Sequence, residues 1–91
     1  MERYFDNLED LARWATAHAI SVISIDAHKC LTVNGSVKYG LSCKAYLDQS
    51  RRAQFNTSKF SDPSLMDKEA DKIERKLRSF GLRISRTPLP V

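Results

Sequence analysis

Residues 61–82, SDPSLMDKEADKIERKLRSFGL, constrain the fold more than any other stretch of the chain. Asp62 followed by Pro63 is a helix start: an aspartate accepts hydrogen bonds from free amides at an N-cap, and proline in the first turn forfeits no needed donor. Met66, Ala70, Ile73, Leu77 and Phe80 then recur every three or four residues as one apolar stripe. Gly81 stands where a left-handed cap closes a helix, and Leu82 supplies the apolar residue that folds back on the last turn. The spacing predicts about four and a half turns with both ends specified. Such a helix needs an apolar surface to lie on, and the preceding residues must provide it.

Asn7 to about Ala19 reads as a first helix, with Asp6 and Glu9 forming a capping box. Its stripe is Leu8, Leu11, Ala12, Ala15 and Ala19, flanked by Trp14 and His18. A stripe this rich in alanine implies close approach of a neighbour. Ile20 to Ile25, ISVISI, is β-branched at most positions and reads as a covered strand. Asn34-Gly35 then marks a hairpin between Lys29–Val33 and Ser36–Leu41, because both residues of a two-residue turn need positive φ. That turn sets Leu31 opposite Lys38 and Cys30 opposite Tyr39. The face carrying His28, Cys30, Thr32, Val37, Tyr39 and Leu41 is then expected on the core, and a one-residue slip would exchange the faces. Ser42 reads as the N-cap of a second helix over Cys43 to about Phe55, with Cys43, Tyr46, Leu47 and Ser50 on one side. Lys44, Asp48 and Arg52 are spaced four apart along its outside. Residues 56–61 form a polar connector anchored by Phe60. Leu82 to Ile84 is a short extended segment after the long helix.

The expected fold is α+β: one small domain of order α-β-β-β-α-α, with helices packed on one face of an antiparallel three-stranded sheet. At 91 residues, one domain is the limit. We place it over residues 1–86, with 87–91 as an extended tail that Pro88 and Pro90 keep out of any helix. The order overlaps the α-β-β-β-α outline of double-stranded RNA-binding domains. However, neither the first helix nor the segment before the second carries the lysine cluster such a domain presents, and no family is assigned on order alone.

Little in the chain points to catalysis. The only glycines are Gly35, Gly40 and Gly81, so phosphate-cradling and dinucleotide fingerprints are absent. Cys43 at a helix start with His28 nearby would resemble an activated thiol, but it also fits an apolar stripe, and no oxyanion loop surrounds it. His18, His28, Cys30 and Cys43 lack the paired close spacing of a zinc site. Two reduced thiols are the simpler reading, and whether Cys30 and Cys43 pair is left open by spacing alone. The expectation is a protein that is not an enzyme and has no cofactor, metal or catalytic residue.

Charge is more informative. The formal net charge is +4, and its sign alternates by blocks. Residues 1–26 and 61–74 are acid-rich, whereas 27–60 and 75–91 are basic. Arg75, Lys76, Arg78, Arg83 and Arg86, with Arg51 and Arg52, could join into a phosphate-binding patch. Acids at the start of a helix and bases at its end are also what the helix dipole favours, and Asp71/Arg75 and Glu74/Arg78 are well-spaced pairs. Trp14 is of a residue type enriched in interface hot spots. No apolar run is long enough to span a membrane, and MERYFDNLED lacks the shape of a signal peptide, so a cytoplasmic location is expected. The reading is a non-enzymatic macromolecule-binding protein, foremost a protein-binding modulator acting as inhibitor or adaptor. Phage and mobile-element factors that act on host nucleoprotein machines are the class analogy. Its expected partner is a protein or nucleoprotein complex, its state a monomer or homodimer. The alternative is direct binding of DNA or RNA through a basic patch from the second and third helices. The candidate binding residues are Trp14, Arg51, Arg52, Arg75, Lys76, Arg78, Arg83 and Arg86.

Overall fold

A computed structural model describes residues 2–89. Among them the chain runs β1 (Glu2–Tyr4), α1 (Leu8–Ala17), β2 (Val22–Leu31), β3 (Val37–Tyr46), β4 (Arg52–Asn56), α2 (Pro63–Ser79) and β5 (Arg83–Thr87). The strands form one five-stranded mixed sheet of order β1-β4-β3-β2-β5. β2, β3 and β4 are an antiparallel meander, and β1 and β5 add in parallel to β4 and β2.

The fold is therefore α+β with two helices, not the expected three helices on a three-stranded antiparallel sheet. The correction centres on residues 43–55. Leu41, Cys43 and Ala45 are buried on one side of β3, while Lys44 and Tyr46 point to the other. This period of two outweighs the helical spacing read into Cys43, Tyr46 and Leu47. Ser42 is a mid-strand residue bonded to Asn56 at 2.9 Å, not a cap. Asp48 turns the chain into β4 by accepting from the amides of Ser50 and Arg51, both at 2.9 Å. Short side chains that bond their own backbone favour such turns over helix.

Both helices cover one face. β1 reaches β2, and β4 reaches β5, by parallel crossovers that step three places across the sheet in the same direction. Parallel crossovers share one hand, so two with the same direction put their helices on the same side. α1 lies over β4, and α2 over β3 and β5. Between the layers lie Leu11, Ala12, Ala15, Ile23, Ile25, Leu41, Cys43, Ala45, Ala53, Met66, Ala70, Ile73 and Leu77, each at most 3% exposed. The alanines on both layers are what permits close approach.

α2 begins and ends as its sequence dictates. Asp62 accepts from the Ser64 amide at 2.7 Å, and Gly81 takes φ 83° beyond the last turn. Leu82 returns its amide to Leu77, and Gly81 to Arg78, which completes a Schellman cap. α1 closes in the same way without a glycine. The Ile20 amide bonds to Ala15 and that of Ala19 to Thr16, with Ala19 itself at φ 58°. At its start the cap is Asn7, accepting from the Asp10 amide at 2.9 Å, rather than the anticipated Asp6.

The hairpin lies where Asn34-Gly35 predicts it, but its loop holds three residues, Val33 to Gly35. The Thr32 amide bonds to Ser36, the Gly35 amide bonds to Thr32, and Gly35 is left-handed at φ 84°. The extra loop residue shifts the register by one, pairing Leu31 with Val37 and Cys30 with Lys38. Lys29 and Leu31 consequently share the helix-side face with Tyr39 and Val37, while His28 and Cys30 occupy the open face. Cys43 lies in the core, so the two thiols sit on opposite faces, and both are free. Pro90 and Val91 of the anticipated tail lie outside the described residues. No helix among the described residues is long and apolar enough to cross a membrane.

Candidate interaction surface

The eight positions singled out from sequence are scattered, and their charges are mostly met within the molecule. Arg51 pairs with Asp48 at 2.6 Å, Arg78 with Glu74 at 2.8 Å, and Arg86 with Asp71 at 2.7 Å and Glu74 at 3.3 Å. Arg52 pairs with Glu2 across the β1–β4 edge, and Lys76 with Glu9 across the two helices. Arg78 and Arg86 meet only through Glu74, whose carboxyl they hold below its usual range, Arg78 more strongly. Asp71, expected beside Arg75, instead takes Arg86 from β5. Trp14 is half-buried on α1 with His18 stacked on it at 4.4 Å between centroids. Of the basic positions, Arg75 and Arg83 alone have no ion pair among the described residues. A joint patch from second and third helices does not form, because Arg51 and Arg52 belong to the β3–β4 turn and β4.

Arg52, Tyr46, Val22 and Arg83 follow one row across the open face of the sheet at the end where β2 begins. Tyr46 is half exposed there, and a shallow cleft of about 500 Å³ runs beside it, lined by His18, Ile20, Val22 and Leu47 among others. The centre of the open face is polar and satisfied. Asp26 accepts from Ser24 at 2.8 Å and pairs with Lys44 at 3.5 Å. Asn56 accepts from both Ser42 and Gln54.

The other end differs in kind. The β2–β3 hairpin extends beyond the rest of the sheet: β5 accompanies β2 only as far as Asp26, and β4 accompanies β3 only from Ser42. Leu31 is 77% exposed, Val33 at the loop fully so, and Val37 44%. Leu31 and Val37 face each other on the helix side, where Lys29 is also exposed. On the open side stands Lys38, with Lys59 reaching back over β3. There Gly40 has no side chain, and a Cβ would come within 2.7 Å of the His28 ring and 2.9 Å of the Lys59 ammonium. Burial, then Lys59 and Lys44, hold the imidazole of His28 below its ordinary pKa. Cys30 lies 3.5 Å from the same ring.

No acid occurs from Ala27 to Leu47, and none from Gln49 to Ser61. Among the described residues Lys29, Lys38 and Lys59 form no ion pair. The surface therefore joins exposed aliphatic side chains to unmet positive charge, about 30 Å of strand away from Arg83 and Val22. Asn34-Gly35 marks the hairpin, but the two-residue register predicts Lys29 and Lys38 on one outer face, whereas Lys29 lies on the helix side and Lys38 on the open side. Residues 27–60 are recognisable as a basic block, and charge density drew the candidate residues from its arginines and those of the last block.

Cys43 is buried among apolar residues, and that burial pushes its thiol up to about 12. A thiol held protonated is a poor nucleophile. Among the described residues no three His, Cys, Asp or Glu side chains gather as metal ligands. The sequence matches no known family model and no curated protein.

Proposed function

We propose that the protein is a non-enzymatic binding module that occupies the surface of another protein, as an inhibitor or adaptor, through the end of its β2–β3 hairpin. The observation that carries this reading is the exposure of Leu31, Val33 and Val37 beside lysines with no acid of their own to meet. Exposed aliphatic clusters rimmed by polar residues mark interaction sites in small proteins. Unmet lysines steer an acidic partner and set its orientation. The test is site-specific photo-cross-linking in lysate of the source cells, with the cross-linker at Val33 or, as control, at Lys72 on the outer face of α2. A discrete product from position 33 and none from position 72 is expected. Equal patterns from both positions would overturn the assignment of the surface.

A second reading, direct binding of single-stranded DNA or RNA, has one observation in its favour. Tyr46 is exposed on the open face between Arg52 and Arg83, an aromatic platform flanked by cations. Arg52 is already engaged by Glu2, which weakens it. Fluorescence anisotropy with labelled duplex DNA, single-stranded DNA and RNA decides the matter. Binding that falls steeply between about 50 and 200 mM salt and is lost in Tyr46→Ala/Arg83→Ala would favour nucleic acid.

A further inference from the structure

The two edges of the β2–β3 hairpin are treated differently. The β3 edge is covered as far out as Tyr39, which exchanges both main-chain groups with Phe60 at 2.7–2.8 Å, while Leu41 bonds through both of its own to Thr57. On the β2 edge, β5 stops at Thr87 opposite Asp26. Pro88 follows, and Leu89 turns in to pack against the core. Among the described residues no strand pairs with the outer edge of β2 beyond Asp26.

The register states which groups this leaves open. Tyr39 directs its amide and carbonyl to Phe60, so its cross-strand partner Lys29 sits in a wide pair and directs its own to the opposite edge. The same parity applies to Leu31, two residues on. Lys29 and Leu31 thus present amide and carbonyl groups along an edge that no described residue covers, beside the exposed side chains of Leu31 and Val37.

We propose that the outer edge of β2 at Lys29–Leu31 is a strand-addition site for an extended acidic segment of a partner protein. This rests on the protein-binding reading above and specifies how the partner is held. Main-chain hydrogen bonds supply the docking and side-chain pairs the choice of partner. Ala27, Lys29 and Leu31 share one face, so the complementary strand carries an acid opposite Lys29, with apolar residues two positions before and after it. The charge also argues against a second copy. Antiparallel pairing centred on Lys29 sets that lysine against its own image, between chains that each carry +4. A lysine at mid-edge discourages indiscriminate pairing, which makes the edge selective.

The test uses the whole chain and a labelled peptide, Thr-Val-Thr-Glu-Thr-Val-Thr, against the same peptide with lysine in place of glutamate. Saturable binding of the acidic peptide is expected, about tenfold or more tighter than the lysine peptide at low salt. At saturation, hydrogen exchange at the Lys29 and Leu31 amides should slow by about tenfold or more, with core amides unchanged. Lys29→Pro removes the outward donor without touching the β2–β3 ladder and should abolish binding. Lys29→Gln, which keeps the amide, should only weaken it, and Leu31→Asp gives a second lesion at the edge. Circular dichroism establishes that each variant is folded. Binding with no change in exchange at Lys29 and Leu31 would overturn strand addition while leaving the hairpin cross-link intact as support for the broader reading. Absence of binding by the acidic peptide would also overturn it. A concentration-dependent dimer in sedimentation, lost in Lys29→Pro, would assign the edge to a second copy and overturn the acidic partner.

Discussion

The two halves of the β2–β3 hairpin are continuous in backbone and opposite in environment. In the body half, Ile23, Ile25, Leu41 and Cys43 are at most 1% exposed beneath two helices. Lys44 there meets Asp26. In the outer half the same alternation continues, yet among the described residues Leu31 and Val37 find no helix above them and Lys29 no acid beside it. Stability is invested in one half and left out of the other. The absence of a covering layer, rather than any unusual residue, is what makes the outer half available to a partner.

Perturbing the two halves sharpens the contrast. The largest effect is expected from Leu77→Ala, which empties a fully buried site on α2 and should cost about 3 kcal/mol in denaturant unfolding. A loss below about 1 kcal/mol would mean that the body is not packed as described. The next concerns Cys43, which burial holds at about 12 against an ordinary 9.0. A thiol whose folded pKa is raised contributes fully below its unfolded pKa and loses that contribution as pH rises towards the folded value. Stability should therefore fall by roughly 1 kcal/mol more between pH 8 and pH 10 in the native chain than in Cys43→Ala. Equal slopes would place that thiol in water. Third, Ala19 holds φ 58° at the same cap position that Gly81 fills with φ 83°. Ala19→Gly should raise stability by about 0.5–1 kcal/mol, and Gly81→Ala should lower it comparably. The smallest effect belongs to the outer half: Leu31→Ser should change unfolding by no more than about 0.5 kcal/mol. A cost near that of Leu77→Ala would show that Leu31 is covered after all.

How far these features could be read in advance depended on the range of the interactions behind them. α2 was legible because Asp62, Pro63, the apolar stripe and Gly81 are all local signals, and each acts within its own turn. The hairpin was legible in position but not in register, since Asn34-Gly35 serves a three-residue loop as well as a two-residue one. Residues 43–55 were misread because a short alternating strand, a turn and another strand can mimic helical spacing. β1 and β5 carry little pattern of their own and exist through pairing with β4 and β2. The charges divide in the same way. Glu74–Arg78 is an i,i+4 pair and was anticipated, whereas Arg52–Glu2, Lys76–Glu9 and Arg86–Asp71 are brought together only by the fold. These distant pairs are what dissolved the expected arginine patch and left Lys29, Lys38 and Lys59 as the unmet cations of the hairpin end.

The interleaved crossovers have a kinetic consequence. Glu2 pairs with Arg52, and Val22 with Arg83, so each edge strand closes on a residue far along the chain. Loop-closure entropy must be met before those contacts give anything back, which slows folding relative to a helical chain of this length. During synthesis the meander can form early, but its outer strands, β2 and β4, stay unflanked on one side until both crossovers are complete. The second crossover waits for residues 83–87 to leave the ribosome. Until then the inner half of β2 is as open as its outer half, and only the arrival of β5 makes the two halves different.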